Sequence, residues 1–262
     1  MPTNSKPVIT EMRGDHIFIA KINRPQAHNA ISFEVMDGLE SVCDEIEQNE
    51  DIRVLILTGE GHKFFASGGD LKQFADLKSE QEARKMSMRM GEVLRRIESA
   101  DCWTIALING DAYGGGCEVM LAFDFRIAAK HARFGFTQGR FYLTPGWGGL
   151  TRLIERVNRS TALLWLGTQA LVDTESALIA GLIDMADSSS QLENHIMEMA
   201  ERLSENDRRI IKVMKEGATY AQKYPHRESI NNERTEFSKL WATDEHHRRV
   251  EAFLKRKKTD GL

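Results

Sequence analysis

The segment from Ile108 to Glu118 reads Ile-Asn-Gly-Asp-Ala-Tyr-Gly-Gly-Gly-Cys-Glu, and it restricts what the chain can build more than any other stretch. Before it, the apolar run Thr104 to Leu107 reads as a buried strand. After it, Val119 to Phe123 reads as the start of a buried helix. Gly114, Gly115 and Gly116 occupy the junction. Without a Cβ, glycine lets a ligand or another backbone come close. Amides at a helix start have no partner within the helix and carry partial positive charge. Glu118 then places a carboxylate beside those donors. A group that can stabilise negative charge and a group that can move a proton thus lie within a few residues. The same residues also fit a plain glycine turn packed on a strand, and the motif alone does not choose between the two.

A second bend has the same form. Val54 to Leu57 is a short β-branched strand, broken by Thr58-Gly59-Glu60-Gly61, and Phe64-Phe65-Ala66-Ser67-Gly68-Gly69-Asp70-Leu71 follows. This bend offers the amide of Gly69, and the first offers that of Gly115. If the fold joins them, two N–H donors meet one oxygen, an arrangement in which losing one donor typically costs ~100- to 1,000-fold in rate. A thioester carbonyl becoming an enolate is a suitable load. Competing chemistries fit less well. Ser67 has no evident base and no nucleophile-elbow setting. The glycines do not form a phosphate loop of the Walker type. Cys117 has no histidine near it in sequence and reads as a small buried filler. Asp70 reads as a helix cap rather than a group that acts on substrate.

The rest of the chain supplies the scaffold. Val8 to Thr10 and His16 to Ile22, with Gly14-Asp15 between them, read as a hairpin. Asn23-Arg24-Pro25 ends it, because proline cannot continue a ladder. Ser32 is a candidate N-cap, followed by Met36, Leu39, Cys43 and Ile46 at helical spacing. Ser79 to Ser99 predicts a polar helix with Met86, Met90, Val93, Leu94 and Ile97 as its inner stripe. Trp103 to Leu107 and Arg126 to Ala129 read as strands. Arg133 to Gly149, rich in aromatics and glycine, reads as loop. Leu150 to Val157, Thr161 to Leu166 and Thr174 to Ala180 read as short helices, with Gly181 as a stop. From Ser190 onward the pattern is helical only, with Leu192, Ile196, Met199 and Leu203 as one stripe. This predicts a core over residues 1–190 and a helical region over 191–262 that packs on the core or on another subunit.

Composition narrows the function classes. With 262 residues, 41% of them hydrophobic, the chain can bury a substantial core. A net charge of −4 does not suggest a nucleic-acid partner. No apolar run reaches the ~20 residues that a membrane-crossing helix needs. The start, Met1 to Pro7, is polar and lacks a signal-peptide core. The three cysteines, Cys43, Cys102 and Cys117, are scattered and lack metal-ligand spacing. A reduced, cytoplasmic protein with no metal is the expectation.

Taken in order, Asn23-Arg24-Pro25-Gln26-Ala27-His28-Asn29-Ala30, Phe65 to Lys72, and Ile108 to Glu118 resemble the three signature blocks of the crotonase (enoyl-CoA hydratase/isomerase) superfamily. Phe134-Gly135 and Pro145-Gly146-Trp147-Gly148-Gly149 resemble a fourth, and Asp173 to Ile183 a further segment. The resemblance spans nearly the whole chain. It implies an α/β fold, a spiral of β-β-α units with a C-terminal helical trimerisation region, and trimers that pair into hexamers. It implies acyl-CoA thioester substrates and no separate cofactor, since coenzyme A enters with the substrate. It places the thioester oxygen at the amides of Gly69 and Gly115. Arg24, Ala27, His28, Ser67, Gly68, Asp70, Leu71, Lys72 and Gly114 would flank the coenzyme. The basic run Lys255 to Lys258 lies where some members hold a 3′-phosphate, and it also fits a solvated charge run. Hydratases of the family place two glutamates around one water. Glu118 matches the first; the second position falls on Gln138, whose amide can orient water but cannot exchange a proton at neutral pH. Three reactions stay open: hydration by Glu118 alone, double-bond isomerisation, and decarboxylation of a methylmalonyl- or ethylmalonyl-type thioester. A coenzyme-binding scaffold without chemistry is the fourth reading. Arg140, close to Gln138, is a candidate for a substrate carboxylate or a plain exposed arginine. Trp103, Phe141, Tyr142 and Trp147 are candidate pocket walls or plain packing.

Overall fold

In a computed structural model, residues 6–246 and 248–250 are described. The chain divides into two compact units, residues 1–208 and 209–262. The first opens with the expected hairpin, β1 (Val8–Arg13) and β2 (Ile17–Ile22), paired antiparallel. Helix α1 (Phe33–Gln48) starts where Ser32 predicts it, with the serine side chain accepting from Val35 N. Its face of Met36, Leu39, Cys43 and Ile46 is buried. Then come β3 (Val54–Gly59), β4 (Phe64–Ala66), the single-turn helix α2 (Leu71–Phe74) and α3 (Glu80–Glu98). A capping box between Ser79 and Glu82 sets the start of α3.

Strand β5 (Trp103–Ile108), β6 (Asp111–Tyr113), α4 (Gly115–Met120) and β7 (Phe125–Ala129) carry the segment the sequence singled out. After β8 (Arg133–Gly135) the chain runs through a 3₁₀ turn, Thr137–Phe141, into α5 (Gly149–Arg156), α6 (Arg159–Thr168), β9 (Leu171–Asp173), α7 (Thr174–Ile179), β10 (Met185–Asp187) and α8 (Ser189–Ser204). The stretch from Arg133 to Gly149, expected as loop, therefore holds a strand and a helical turn. Strand β8 forms because β6 and β9 pair with its two edges, and a run of three residues carries no period that would announce it. Gly181 has φ +80 just past α7.

Two sheets result. One has the order β1-β2-β3-β5-β7-β10, parallel from β2 to β10; the other has the order β4-β6-β8-β9. From β2 to β7 the first is covered on both faces, whereas the edge strand β1 is exposed beyond Val8. In β3, Leu55 and Leu57 join one apolar cluster with α1 and α3, whereas Val54 and Ile56 join a second with Leu192, Ile196 and Ala200 of α8. That two-residue alternation is what a strand dictates. Helix α8 thus belongs to the first unit, which ends at Arg208 rather than near residue 190. The fully buried Arg126 ties β7 to the ends of other elements. It pairs with Asp184 at 2.7 Å and donates to the carbonyls of Leu182 and Phe123. Burial pushes its guanidinium down to about 10, and the Asp184 carboxylate opposes the shift.

The second unit contains most of α9 (Arg208–Lys223) and all of α10 (His226–Trp241). Within it Tyr220 and Tyr224 stack, and Phe237 and Trp241 meet at a tilt. Phe253 and the basic run from Lys255 to Lys258 lie outside the described residues. No described helix is long and apolar enough to cross a membrane.

Candidate active site

The short sheet brings the two glycine bends together. Strands β4 and β6 pair in parallel, so the turns that follow them leave the sheet side by side. A side-chain carbon at Gly68 would lie 3.3 Å from Gly115 N, and one at Gly116 would lie 2.0 Å from Ala66 O. Only glycine permits that approach. Gly69 and Gly115 also share a neighbour, since the Trp147 ring borders both. Among the described residues neither the Gly69 nor the Gly115 amide donates to protein. Gly115 opens α4, where no intrahelical acceptor exists.

Glu118 is 3% exposed and sits one turn into α4. Four donors surround its carboxylate. Oε2 accepts from Trp147 N at 2.7 Å and Gly149 N at 2.9 Å; Oε1 accepts from Gln138 Nε2 at 3.1 Å and Gly146 N at 3.3 Å. Every partner is a donor, the set an ionised carboxylate accepts. The fit is close: a side-chain carbon at Gly149 would lie 2.3 Å from Glu118 Cγ. The two oxygens differ. Oε2 is gripped by buried residues at short range, whereas Oε1 has longer contacts, one of them to the exposed Gly146. Because Glu118 only accepts, Gln138 must turn its Nε2 toward it. The Gln138 Oε1 is then buried and without a protein partner among the described residues.

The remaining positions expected to flank a coenzyme gather around the first bend. Ser67 N donates to His28 O, Ile31 N to Gly68 O, and Asp70 N to Ile31 O, so the segments 24–31 and 67–70 lie edge to edge. Asp70 caps α2 as expected, accepting from Lys72 N at 3.1 Å and Gln73 N at 3.4 Å. Arg24 is committed to the protein: it pairs with Asp70 at 2.8 Å and donates to Ala30 O at 2.7 Å. His28 is exposed, with its ring stacked on Phe64, and Ala27 is half-buried. Leu71 and Lys72 are exposed, and Gly114 precedes α4 with φ +50.

Other candidates separate from the site. Trp103 packs against Phe125 in the cluster on the α8 side of the long sheet. Phe141 and Tyr142 are exposed, and Arg140 reaches the carbonyl of Gln169 at 3.2 Å. Cys117 is fully buried, donates toward Ala112 O at 3.0 Å, and has its thiol pushed up by burial; it is no nucleophile. The sequence reading missed the Gly146, Trp147 and Gly149 amides. They lie in the Pro-Gly-Trp-Gly-Gly block that resembles the family's fourth, but a backbone N–H leaves no mark in residue type.

The family model for enoyl-CoA hydratase/isomerase matches residues 12–260. The chain belongs to this family. It is 31% identical over 255 residues to a short-chain-enoyl-CoA hydratase of Clostridium acetobutylicum, covering 97% of each chain. Among solved structures, an enoyl-CoA hydratase from Bacillus anthracis superposes with a TM-score of 0.90 at 27% identity, over 95% of this chain and 96% of that one. DspI of Pseudomonas aeruginosa superposes with a TM-score of 0.90 at 30% identity, over 97% and 96%. The fold is therefore that of the crotonase superfamily, as the motifs implied. As a member of the enoyl-CoA hydratase/isomerase family, the chain carries a carboxylate, Glu118, and an amide, Gln138, side by side in its glycine-lined site.

Proposed function

We propose that this protein is an acyl-CoA lyase or isomerase that stabilises a thioester enolate at the amides of Gly69 and Gly115, with Glu118 as its proton carrier. The observation that carries this reading is two unpaired amides on adjacent bends beside one buried carboxylate. Donors fixed in place before the reaction stabilise the developing charge without reorganising. Oε1 of Glu118 is the working oxygen, because its contacts are the longer ones and one of its partners is exposed. In hydration, a water oxygen bonds to the β-carbon while its proton passes to Glu118 Oε1. The double-bond electrons move to the thioester oxygen, and the proton then returns from Glu118 to the α-carbon. Gln138 Nε2, bonded to Glu118 Oε1, orients the carboxylate for this transfer. Ala27, His28, Ser67, Gly68, Leu71, Lys72 and Gly114 border the coenzyme, and the active form is a homo-trimer or hexamer.

Decarboxylation of a methylmalonyl- or ethylmalonyl-type thioester is a second reading, favoured by one observation: the second acid position holds Gln138. Loss of carbon dioxide generates the same enolate without a base. Incubation with crotonyl-CoA and methylmalonyl-CoA separately, with products followed by mass, decides between them. Hydration of crotonyl-CoA alone removes the decarboxylase. Binding of coenzyme A with no turnover of either removes both and leaves an inert scaffold.

A further inference from the structure

We propose that Ser87 is a positioning residue for Glu118 and acts through the single peptide unit joining Gly146 to Trp147. The Ser87 hydroxyl donates to Gly146 O. The N–H of that same peptide unit, Trp147 N, donates to Glu118 Oε2 at 2.7 Å, the shortest of the carboxylate's four contacts. A trans peptide is planar, with its C=O and N–H pointing opposite ways. A donor on the oxygen therefore fixes the plane and polarises the N–H toward the carboxylate. The link runs from Ser87 O–H through one peptide to Glu118, with no other side chain between.

The orientation of Ser87 is unusual for its setting. Serines within helices commonly turn back to the carbonyl four residues earlier, as Ser41 does to Asp37 O and Ser238 to Arg234 O. Ser87 instead crosses to a loop far away in sequence. That loop has glycine at positions 146, 148 and 149, whose wide dihedral range leaves the peptide plane to be set by its contacts. Helix α3 supplies a second anchor one residue earlier, where Met86 Sδ accepts from Trp147 Nε1 at 3.4 Å. The helix is itself tethered two residues later, where Arg89 bonds both carboxylate oxygens of Glu40 at 2.7 Å. Helix α3 thus meets the loop at residues 86 and 87, while Arg89 ties the same turn to α1.

This inference rests on the reading of Glu118 as proton carrier, and its test has one arm independent of that reading. The Trp147 backbone amide is followed by ¹⁵N–¹H NMR in wild type, Ser87→Ala and Ser87→Thr. The expected result is an upfield move in the alanine variant and a return in the threonine variant. In parallel, kcat for crotonyl-CoA falls about tenfold in Ser87→Ala with KM little changed, and Ser87→Thr restores it. An unmoved Trp147 resonance in Ser87→Ala overturns the link. A moved resonance with wild-type kcat overturns the positioning role. If wild type turns over no acyl-CoA thioester, the functional reading falls and the amide resonance alone decides the link.

Discussion

The two sheets are held together by opposite means. In the long sheet, β1, β2, β3 and β5 have six residues each, and the side chains of β2, β3 and β5 alternate between two buried clusters. In the short sheet every strand has three residues. So few ladder bonds hold little on their own, and the short sheet depends on backbone meeting backbone: Gly116 on Ala66 O, Gly68 beside Gly115, and the Gly146–Gly149 loop around Glu118. The strands of both sheets send side chains into the core, Phe65, Ala112, Phe134 and Val172 from the short one; the bends that leave the short sheet need side chains absent. Stability resides mainly in the first and the candidate site in the second, so substitutions should separate the two.

The strongest way to break this contrast is Gly116→Ala. The added methyl carbon would stand 2.0 Å from a backbone oxygen that no side-chain rotation can move. One bend has to shift, and with it the pairing of the Gly69 and Gly115 amides. Enoyl-CoA turnover is expected to fall about 1,000-fold or more, the scale of losing an oxyanion donor, with a lowered melting temperature. Wild-type kinetics in this variant would mean that the contact between the two bends tolerates a side chain after all. Glu118→Gln comes next. It keeps the volume and removes the proposed proton carrier, so kcat should fall ~100- to 10,000-fold. Far-ultraviolet circular dichroism should be unchanged, because the long sheet is untouched. A variant that turns over crotonyl-CoA like wild type would remove Glu118 from the chemistry.

Legibility in the sequence follows the same division. The hairpin, β3, β5, α1 and α3 were readable because burial on a repeating period leaves a repeating pattern in the residues. Ser32 and Asp70 were readable as caps because a cap is a local contact. The three-residue strands β4, β6, β8 and β9 were not, since each is fixed by its neighbours in space and too short to carry a period. At the candidate site, Glu118, Gly69 and Gly115 could be named from their bends, and Gln138 only through the family resemblance, from its place between Phe134-Gly135 and Pro145-Gly146. The amides around Glu118 escaped notice because any residue can supply a backbone N–H. Ser87 escaped because its one contact spans 59 residues of sequence. Arg24 shows the converse: the motif marks it, yet its guanidinium is committed to Asp70 and Ala30.

Gln138→Glu sharpens the contrast at a single position. The side chain keeps its acceptors but loses the N–H that reaches Glu118 Oε1. Two carboxylates at that distance cannot both stay ionised, so one holds a proton and supplies an O–H in place of the N–H. The variant gains an acid beside the water, and crotonyl-CoA hydration should rise about tenfold or more. The shared proton is bound more tightly in the folded protein than in the unfolded chain. Its contribution to stability is therefore present at low pH and is lost as pH rises, where wild type has no such pair to lose. An unchanged hydration rate, or melting curves with the pH dependence of wild type, would place residue 138 away from the working oxygen.

The smallest effect comes from a glycine outside the short sheet. Gly91 lies inside α3, and a side-chain carbon there would meet nothing within 4 Å. Its backbone is helical, so alanine fits without strain and restricts the unfolded chain. Gly91→Ala should stabilise the protein by about 0.5–1 kcal/mol, the usual gain in a helix interior. Turnover should not change, since residue 91 touches neither bend. Set against Gly116→Ala, the same one-carbon addition then acts with opposite sign in two places. Denaturant titration measures the difference directly. A destabilised Gly91→Ala would show that the penalty at Gly116 reflects glycine replacement in general, and the argument from backbone approach would lose its control.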